Sequence, residues 1–288
     1  MKFNIKIFSL AIAAITFTVS CEDDDEGIGQ PVIPAQSEET ASLSFENEAF
    51  FGRGDVATYN ATLNSASEGP KQITVVSQEG PEVTISFAIV TAGATNAQGT
   101  ITIPETGPSF SYDQSGTFGA EIIGARRGEF VINEDDEEVF VPSGGDTVAT
   151  SSEEATLAFY DRTPALNTGG LNILYDWVNP SENDFDLEII DQAFTTIFDS
   201  SGTGSRYEDV LTVNADPDTD YVLYVTIFTE APAADVNNRF FFVAPNGEKT
   251  LLEFVIPAGT APGSRFPVAT YNKATVDGEA VYSGFAVL

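Results

Sequence analysis

The sequence contains no histidine, and Cys21 is its only cysteine. Without histidine the chain cannot form an imidazole metal site, a Ser-His-Asp triad or a Cys-His dyad. A single cysteine cannot form a disulfide within the chain. These absences exclude the commonest hydrolytic centres and leave paired carboxylates, as in glycoside hydrolysis, as the main acid-base arrangement to consider.

Basic residues are also scarce. The sequence has 12 Lys and Arg and 44 Asp and Glu, which gives a net charge of -32. Nucleic acid is excluded as a partner, because binding to phosphates requires basic patches. Docking on anionic lipid by charge is disfavoured for the same reason. The acidity is typical of a protein kept soluble in a salty exterior, or of one that supplies ligands to cations.

The chain has no hydrophobic run long enough to cross a membrane. Lys2 and Lys6 precede an apolar run from Ile7 to Val19, whereas a spanning helix needs about 20 apolar residues. A short basic segment followed by a run of this length is typical of a secretory signal peptide. We therefore expect residues 1–20 to be a cleaved signal peptide.

The residues Thr18-Val-Ser-Cys21 resemble the lipobox of bacterial lipoproteins, with Thr18 where leucine is usual. The resemblance implies that the Cys21 thiol carries lipid, with acyl chains such as palmitate, and becomes the mature N-terminus. The acidic block Glu22–Glu26 resembles the signal that exports some lipoproteins to the outer face of the outer membrane. A plain solvated tether on the periplasmic face remains an alternative. Residues 21–40 are thus predicted to be a lipidated acidic tether.

Alternation with a period of two dominates the remaining chain. Val83, Ile85 and Phe87, for example, share one face of a predicted strand, and Thr84 and Ser86 share the other. Short strands of this kind, separated by turn residues, predict an all-β protein with two antiparallel β-sandwich domains of jelly-roll or Ig-like type. We place these domains at residues 41–160 and 171–288, joined by a linker at 161–170 that contains proline and paired glycines.

Part of the second domain resembles the pre-peptidase C-terminal (PPC) family. The resemblance lies in Asn183-Asp-Phe-Asp-Leu187 and in the strand Asp220-Tyr-Val-Leu-Tyr-Val225. It implies a non-catalytic accessory sandwich of the kind found beside secreted enzymes and on surface proteins. Some members of that family bind calcium.

A calcium site is therefore a hypothesis for the acidic turn of this domain. Its candidate ligands are Asp176, Asn179, Asp184 and Asp186, because oxygen ligands on one turn suit calcium and residues 184 and 186 point to the same side of a strand. A solvated polar hairpin is the alternative. The only tryptophan, Trp177, alternates with Tyr175, and this pattern predicts core packing rather than a sugar-binding platform.

These observations favour a non-enzymatic cell-surface lipoprotein that acts in adhesion, scaffolding or an envelope complex with other surface proteins. An alternative is a glycan-binding accessory lipoprotein of a polysaccharide-uptake system. A further alternative is a glycosidase that uses carboxylates alone, which requires two carboxyl groups about 5 to 10 Å apart.

Overall fold

The computed structural model describes residues 40–46, 48–79, 82–107, 116–143, 154–204, 206–228 and 230–288. The predicted signal peptide, Cys21 and almost all of the predicted tether lie outside the described residues. No helix in the described ranges has the length and hydrophobicity needed to cross a membrane.

The protein is all-β, as its alternation predicts. The strands are β1 (Ala41–Phe45), β2 (Phe51–Gly52), β3 (Val56–Leu63), β4 (Lys71–Glu79), β5 (Glu82–Val90), β6 (Asn96–Thr102), β7 (Gly116–Ile132), β8 (Glu138–Pro142), β9 (Ala155–Tyr160), β10 (Gly170–Trp177), β11 (Phe185–Asp191), β12 (Ile197–Ser201), β13 (Tyr207–Val213), β14 (Thr219–Ile227), β15 (Val236–Val243), β16 (Lys249–Ile256), β17 (Arg265–Val276) and β18 (Glu279–Val287). In residues 170–288 the paired strands are antiparallel, as are β1 with β3, β4 with β5 and β7, and β7 with β8, whereas the short β2 pairs with β9 in parallel.

The chain divides into two compact units that are not contiguous in sequence. Unit 1 comprises the described part of Met1–Phe45 together with Thr58–Ile101 and Gly119–Thr156. Unit 2 comprises Glu46–Ala57, the described part of Thr102–Phe118, and Leu157–Leu288.

This division differs from the predicted limits of 41–160, 161–170 and 171–288. The predicted linker belongs to unit 2, where the side chain of Asn172 donates to the carbonyl of Ala165 (3.1 Å). Nearby, the amide of Asn214 donates to the carbonyl of Gly169 (2.8 Å). Proline and paired glycines mark a break in strand pattern, but they do not show whether the broken segment packs on a sheet.

Unit 1 contains two packed sheets. One has the order β1-β3-β6, and the other includes β7-β4-β5 with β8 paired to β7. Ser86 of β5 links them, because its hydroxyl donates to the carbonyl of Thr100 (2.6 Å) and lies 2.9 Å from the hydroxyl of Tyr59 on β3. Tyr59, Ile73 and Val75 are fully buried in this unit.

Unit 2 is a sandwich of a four-stranded sheet, β13-β10-β15-β16, and a five-stranded sheet, β12-β11-β14-β17-β18. Both sheets contribute to one hydrophobic core, which includes Tyr175 and Phe240 from the first and Leu187 and Tyr221 from the second. Trp177 is also fully buried in this core, which confirms that it is not an exposed platform. Its indole N–H donates to the carbonyl of Asn183 (2.9 Å).

A second, smaller core lies on the other face of the four-stranded sheet. Phe50 packs there with Leu174, Phe241 and Val243, and its ring meets that of Phe241 edge to face at 5.0 Å. Since alternate residues of a strand face opposite sides, residues 174 and 175 of β10 enter different cores. This second core explains why Glu46–Ala57 belongs to unit 2.

Candidate functional site

The predicted calcium ligand Asp176 is committed to an ion-pair cluster. Its side chain is fully buried on β10, where Oδ1 accepts from Nε of Arg206 (3.0 Å) and Oδ2 accepts from Nε of Arg239 (2.9 Å). Two guanidinium groups therefore neutralise one carboxylate. Both carboxylate oxygens of Asp176 are thus engaged by arginines, and the calcium set that includes it stays a prediction.

Aromatic rings extend this cluster. The guanidinium of Arg239 lies over the rings of Tyr160 (4.6 Å) and Phe241 (5.2 Å), and that of Arg206 lies over Tyr207 (4.7 Å). Cation-π contacts of this kind help to stabilise buried guanidinium groups. We infer that the Asp176 cluster stabilises unit 2.

The other predicted ligands do not assemble with Asp176. Asn179 adopts a left-handed backbone conformation (φ 55°), and its carbonyl accepts from the amides of Glu182 (2.9 Å) and Asn183 (3.1 Å). Asn179 and Asp184 line an open groove of about 520 Å³. Within the described parts of the chain, no group of three or more His, Cys, Asp or Glu residues could hold a metal ion.

Asp184 and Asp186 do project to the same side of β11, as their spacing predicts, because the intervening Phe185 is buried in the core. Partial burial raises the pKa of Asp186, and the negative charges of Asp184, Glu208 and Glu188 raise it further. The negative charge of Asp186 therefore destabilises the folded state at neutral pH.

We expect Asp186→Asn to raise the urea midpoint of unit 2 at pH 7. A pKa that is higher in the folded than in the unfolded state favours folding with the proton bound, so the gain from Asn should be complete above the folded pKa. It should vanish as the pH falls below the unfolded value of about 3.9. Urea unfolding at each pH, followed by Trp177 fluorescence in the presence of a chelator, checks this pH dependence. Glu279→Gln, at an exposed position, is the control. An equal gain at pH 7 and pH 3 would contradict it.

The outer face of the five-stranded sheet carries a recess of about 270 Å³, called here the hairpin recess. Its lining includes Ile190, Phe194, Ile197, Tyr224 and Arg265. Phe194 is 62% exposed and Ile197 is 54% exposed. The ring of Phe194 meets that of Tyr224 edge to face at 5.9 Å. The recess therefore combines water-exposed apolar surface with a guanidinium group.

Arg265 is held at one side of the hairpin recess. Its guanidinium lies over the ring of Tyr224 (5.0 Å), and its Nε lies 2.5 Å from a carboxylate oxygen of Glu188. These two contacts fix the direction of a long side chain that would otherwise be mobile. The N–H donors of Arg265 and the acceptor oxygens of Glu188 thus lie beside the aromatic rings of the recess.

The β11–β12 turn holds Phe194 at the other side. Alternation of apolar residues from Phe194 to Phe198 predicts a strand there, but the strand begins at Ile197, and Phe194 lies in the turn before it with φ 58°. The signal in the sequence is Asp191, whose carboxylate accepts from the amide and hydroxyl of Thr195 (2.7 Å each). An Asp followed by threonines at a strand end is typical of such a side-chain-capped turn.

Unit 1 presents a different kind of surface on β5. Val83, Ile85 and Phe87 are 51%, 57% and 54% exposed, whereas Ala88 and Val90 are buried. The predicted faces of this strand are confirmed, but the more apolar one faces solvent. Ser86, on the other face, is used to link the two sheets of the unit.

No protein-family model matches the chain, and no curated protein matches it. Among solved structures, the chain is similar to the human OSCAR ligand-binding domain, with a TM-score of 0.24 and 9% identity. The match covers 76% of this chain and 97% of that chain.

Proposed function

We propose that this chain is a non-enzymatic, lipid-anchored surface protein that acts in adhesion, scaffolding or an envelope complex, and that unit 1 binds a partner protein through β5. The main observation in support of this partner site is an exposed apolar row on β5, the last strand of its sheet, formed by Val83, Ile85 and Phe87. The lipobox-like residues around Cys21 and the acidic block after them support the anchored location.

The edge of β5 has the features of a strand that pairs with another chain. Its outer edge leaves backbone N–H and C=O groups open to a further strand, and its pairing with β4 continues without a register shift from Lys71↔Val90 to Glu79↔Glu82. Between Val83 and Val90 it contains no charged residue and no proline. Natural edge strands are usually protected by lysine, proline or a bulge.

Edge strands of unit 2 have that protection. β16 carries Lys249 and Glu253, β13 carries Glu208 and Asp209, and the pairing of β18 with β17 is interrupted by a register shift. The edge of β5 therefore lacks the protection that these three edge strands of unit 2 have, and it combines this with an exposed apolar row. An extended strand added to β5 would gain main-chain hydrogen bonds and cover the apolar row, which is how strand-addition partners bind.

Crosslinking in intact cells that carry the full-length chain tests the proposal. We expect the wild-type protein to be crosslinked in a discrete complex with another surface protein, and Ile85→Lys to reduce that complex at least tenfold. Ile132→Lys is the matched control, since Ile132 is 64% exposed in the same unit but lies on β7.

Location is measured in the same cells. We expect Cys21→Ala to release the protein from the membrane fraction, and added protease to reach the wild-type protein on intact cells. The proposal is overturned if no complex forms, if Ile85→Lys leaves it intact, or if the Cys21 variant stays membrane-bound.

A further inference from the structure

We propose that unit 2 binds a neutral saccharide ring in the hairpin recess, with Phe194 as the stacking surface and the Arg265–Glu188 pair as the hydrogen-bonding side. This inference goes beyond the proposed function and does not depend on it, because the recess lies in unit 2 and β5 lies in unit 1.

The recess is built before any ligand arrives. Asp191 holds the turn through Thr195 and through the amide of Thr196 (3.3 Å), while its own carbonyl accepts from the amide of Phe194 (2.9 Å). These side-chain and backbone hydrogen bonds lower the pKa of Asp191, so it stays ionised and keeps the turn closed at neutral pH.

The turn holds Phe194 in a conformation that a large side chain rarely adopts. A left-handed backbone at a residue other than glycine costs about 1–3 kcal/mol. The aromatic ring of Phe194 is also 62% exposed, and an exposed ring contributes little to the stability of the fold. The left-handed backbone and the exposed ring are both explained if the ring contacts a ligand.

The surroundings match the chemistry of a sugar. The face of an aromatic ring carries negative charge, so it attracts the slightly positive C–H groups on one face of a pyranose. Hydroxyl groups at the rim of that ring could accept from Arg265 and donate to Glu188. The volume of about 270 Å³ is close to the lower limit of small-molecule sites, about 300 Å³, which suits one ring rather than a long chain.

Charge selects a neutral ligand. The chain carries a net charge of -32, and Asp184, Asp186 and Glu188 form an acidic row along β11 that ends at the recess. This field repels anions, and Glu188 already neutralises Arg265. Arg265 already lies over the ring of Tyr224, which leaves that ring face closed to another cation. A neutral polyhydroxyl ring meets neither obstacle.

Ligand-observed NMR on the whole mature chain tests the inference. The probes are the methyl glycosides of glucose, galactose, mannose and xylose, N-acetylglucosamine, their neutral disaccharides, glucuronate, and phenylalanine amide. We expect at least one neutral saccharide to bind with a Kd near 1 mM, about -4 kcal/mol, and more tightly than glucuronate or phenylalanine amide.

The variants locate the site. Phe194→Asn removes the ring, while asparagine tolerates the left-handed backbone, so the turn is kept. It should weaken saccharide binding at least tenfold, whereas Phe228→Asn, at a site 67% exposed in the same unit, should leave it unchanged. A urea midpoint no lower than that of the wild type for each variant confirms that the fold is intact, and relief of the left-handed strain is expected to raise the midpoint of Phe194→Asn.

The inference is overturned if none of the neutral saccharides binds, if Phe194→Asn binds them as tightly as the wild type, or if glucuronate or phenylalanine amide binds more tightly than every neutral sugar. Ile85→Lys should leave saccharide binding unchanged, so the saccharide test and the test of the β5 surface can fail independently.

Discussion

Replacing Asp176 with asparagine is expected to lower the free energy of unfolding of unit 2 by about 3–5 kcal/mol. The substitution keeps the shape of the side chain but removes the buried carboxylate that Arg206 and Arg239 share. Arg239 is 6% exposed, so water cannot replace the lost carboxylate there. Breaking one side of a buried ion pair leaves an uncompensated charge, which is the costly case.

Trp177 makes the measurement specific to unit 2. It is the only tryptophan of the chain and is fully buried in the core of that unit, so its fluorescence in a urea titration follows unit 2 alone. The matched control is Asp209→Asn, because Asp209 pairs with Arg162 where the two side chains are 43% and 52% exposed. A solvent-exposed pair contributes about 0–1 kcal/mol. Equal losses for the two variants would show that the Asp176 cluster is not a stabilising centre.

Adding Arg239→Met to the Asp176 variant should restore part of the loss. The double variant removes the more buried of the two guanidinium groups that lose their carboxylate, whereas the Arg206 side chain, 20% exposed, keeps some access to water. Further destabilisation by the second substitution would indicate that Arg239 acts mainly through its contacts with Tyr160 and Phe241.

Truncation of Phe240 to alanine is expected to destabilise unit 2 by about 3–5 kcal/mol. Phe240 is fully buried, and its ring contacts those of Tyr175 (4.9 Å), Phe254 (5.3 Å) and Phe242 (5.9 Å). Its loss leaves a cavity and removes three aromatic contacts, and such a contact contributes about 0.5–1.5 kcal/mol. A strand core cannot collapse to fill such a space without moving both sheets.

The same urea titration checks this prediction. Phe228→Ala serves as control, since that ring is 67% exposed and surface truncation usually changes stability by less than about 0.5 kcal/mol. Phe240→Leu should lose less than Phe240→Ala, because leucine fills part of the volume. A loss below about 1 kcal/mol for Phe240→Ala would mean that the core is not packed as described.

Much of unit 2 was predictable from its pattern. Apart from β12, its strands correspond to runs of alternating or continuous apolar residues with turn residues near their ends, as at Tyr207–Val213. The burial of Trp177 was predictable too, since it alternates with Tyr175 on β10. Period two is a local property, and local properties can be read along the chain.

The site was less predictable, because its parts come from distant positions. Asp176 is a predicted calcium ligand, and the fold places Arg206 and Arg239 against it, 30 and 63 residues away. The hairpin recess combines a turn residue, Phe194, with Arg265 of β17. No spacing rule joins such residues, since only sheet order makes them neighbours.

The sequence by itself determined the all-β class, the acidity, the absence of histidine chemistry and the strand faces, since composition and alternation are fixed before folding. Only the tertiary structure decided which face of β5 is buried, which segments belong to each unit, and which charges neutralise one another. The physical reason is that burial and ion pairing depend on what lies across the sheet. A strand specifies its own two faces, but its partners specify which of them meets water.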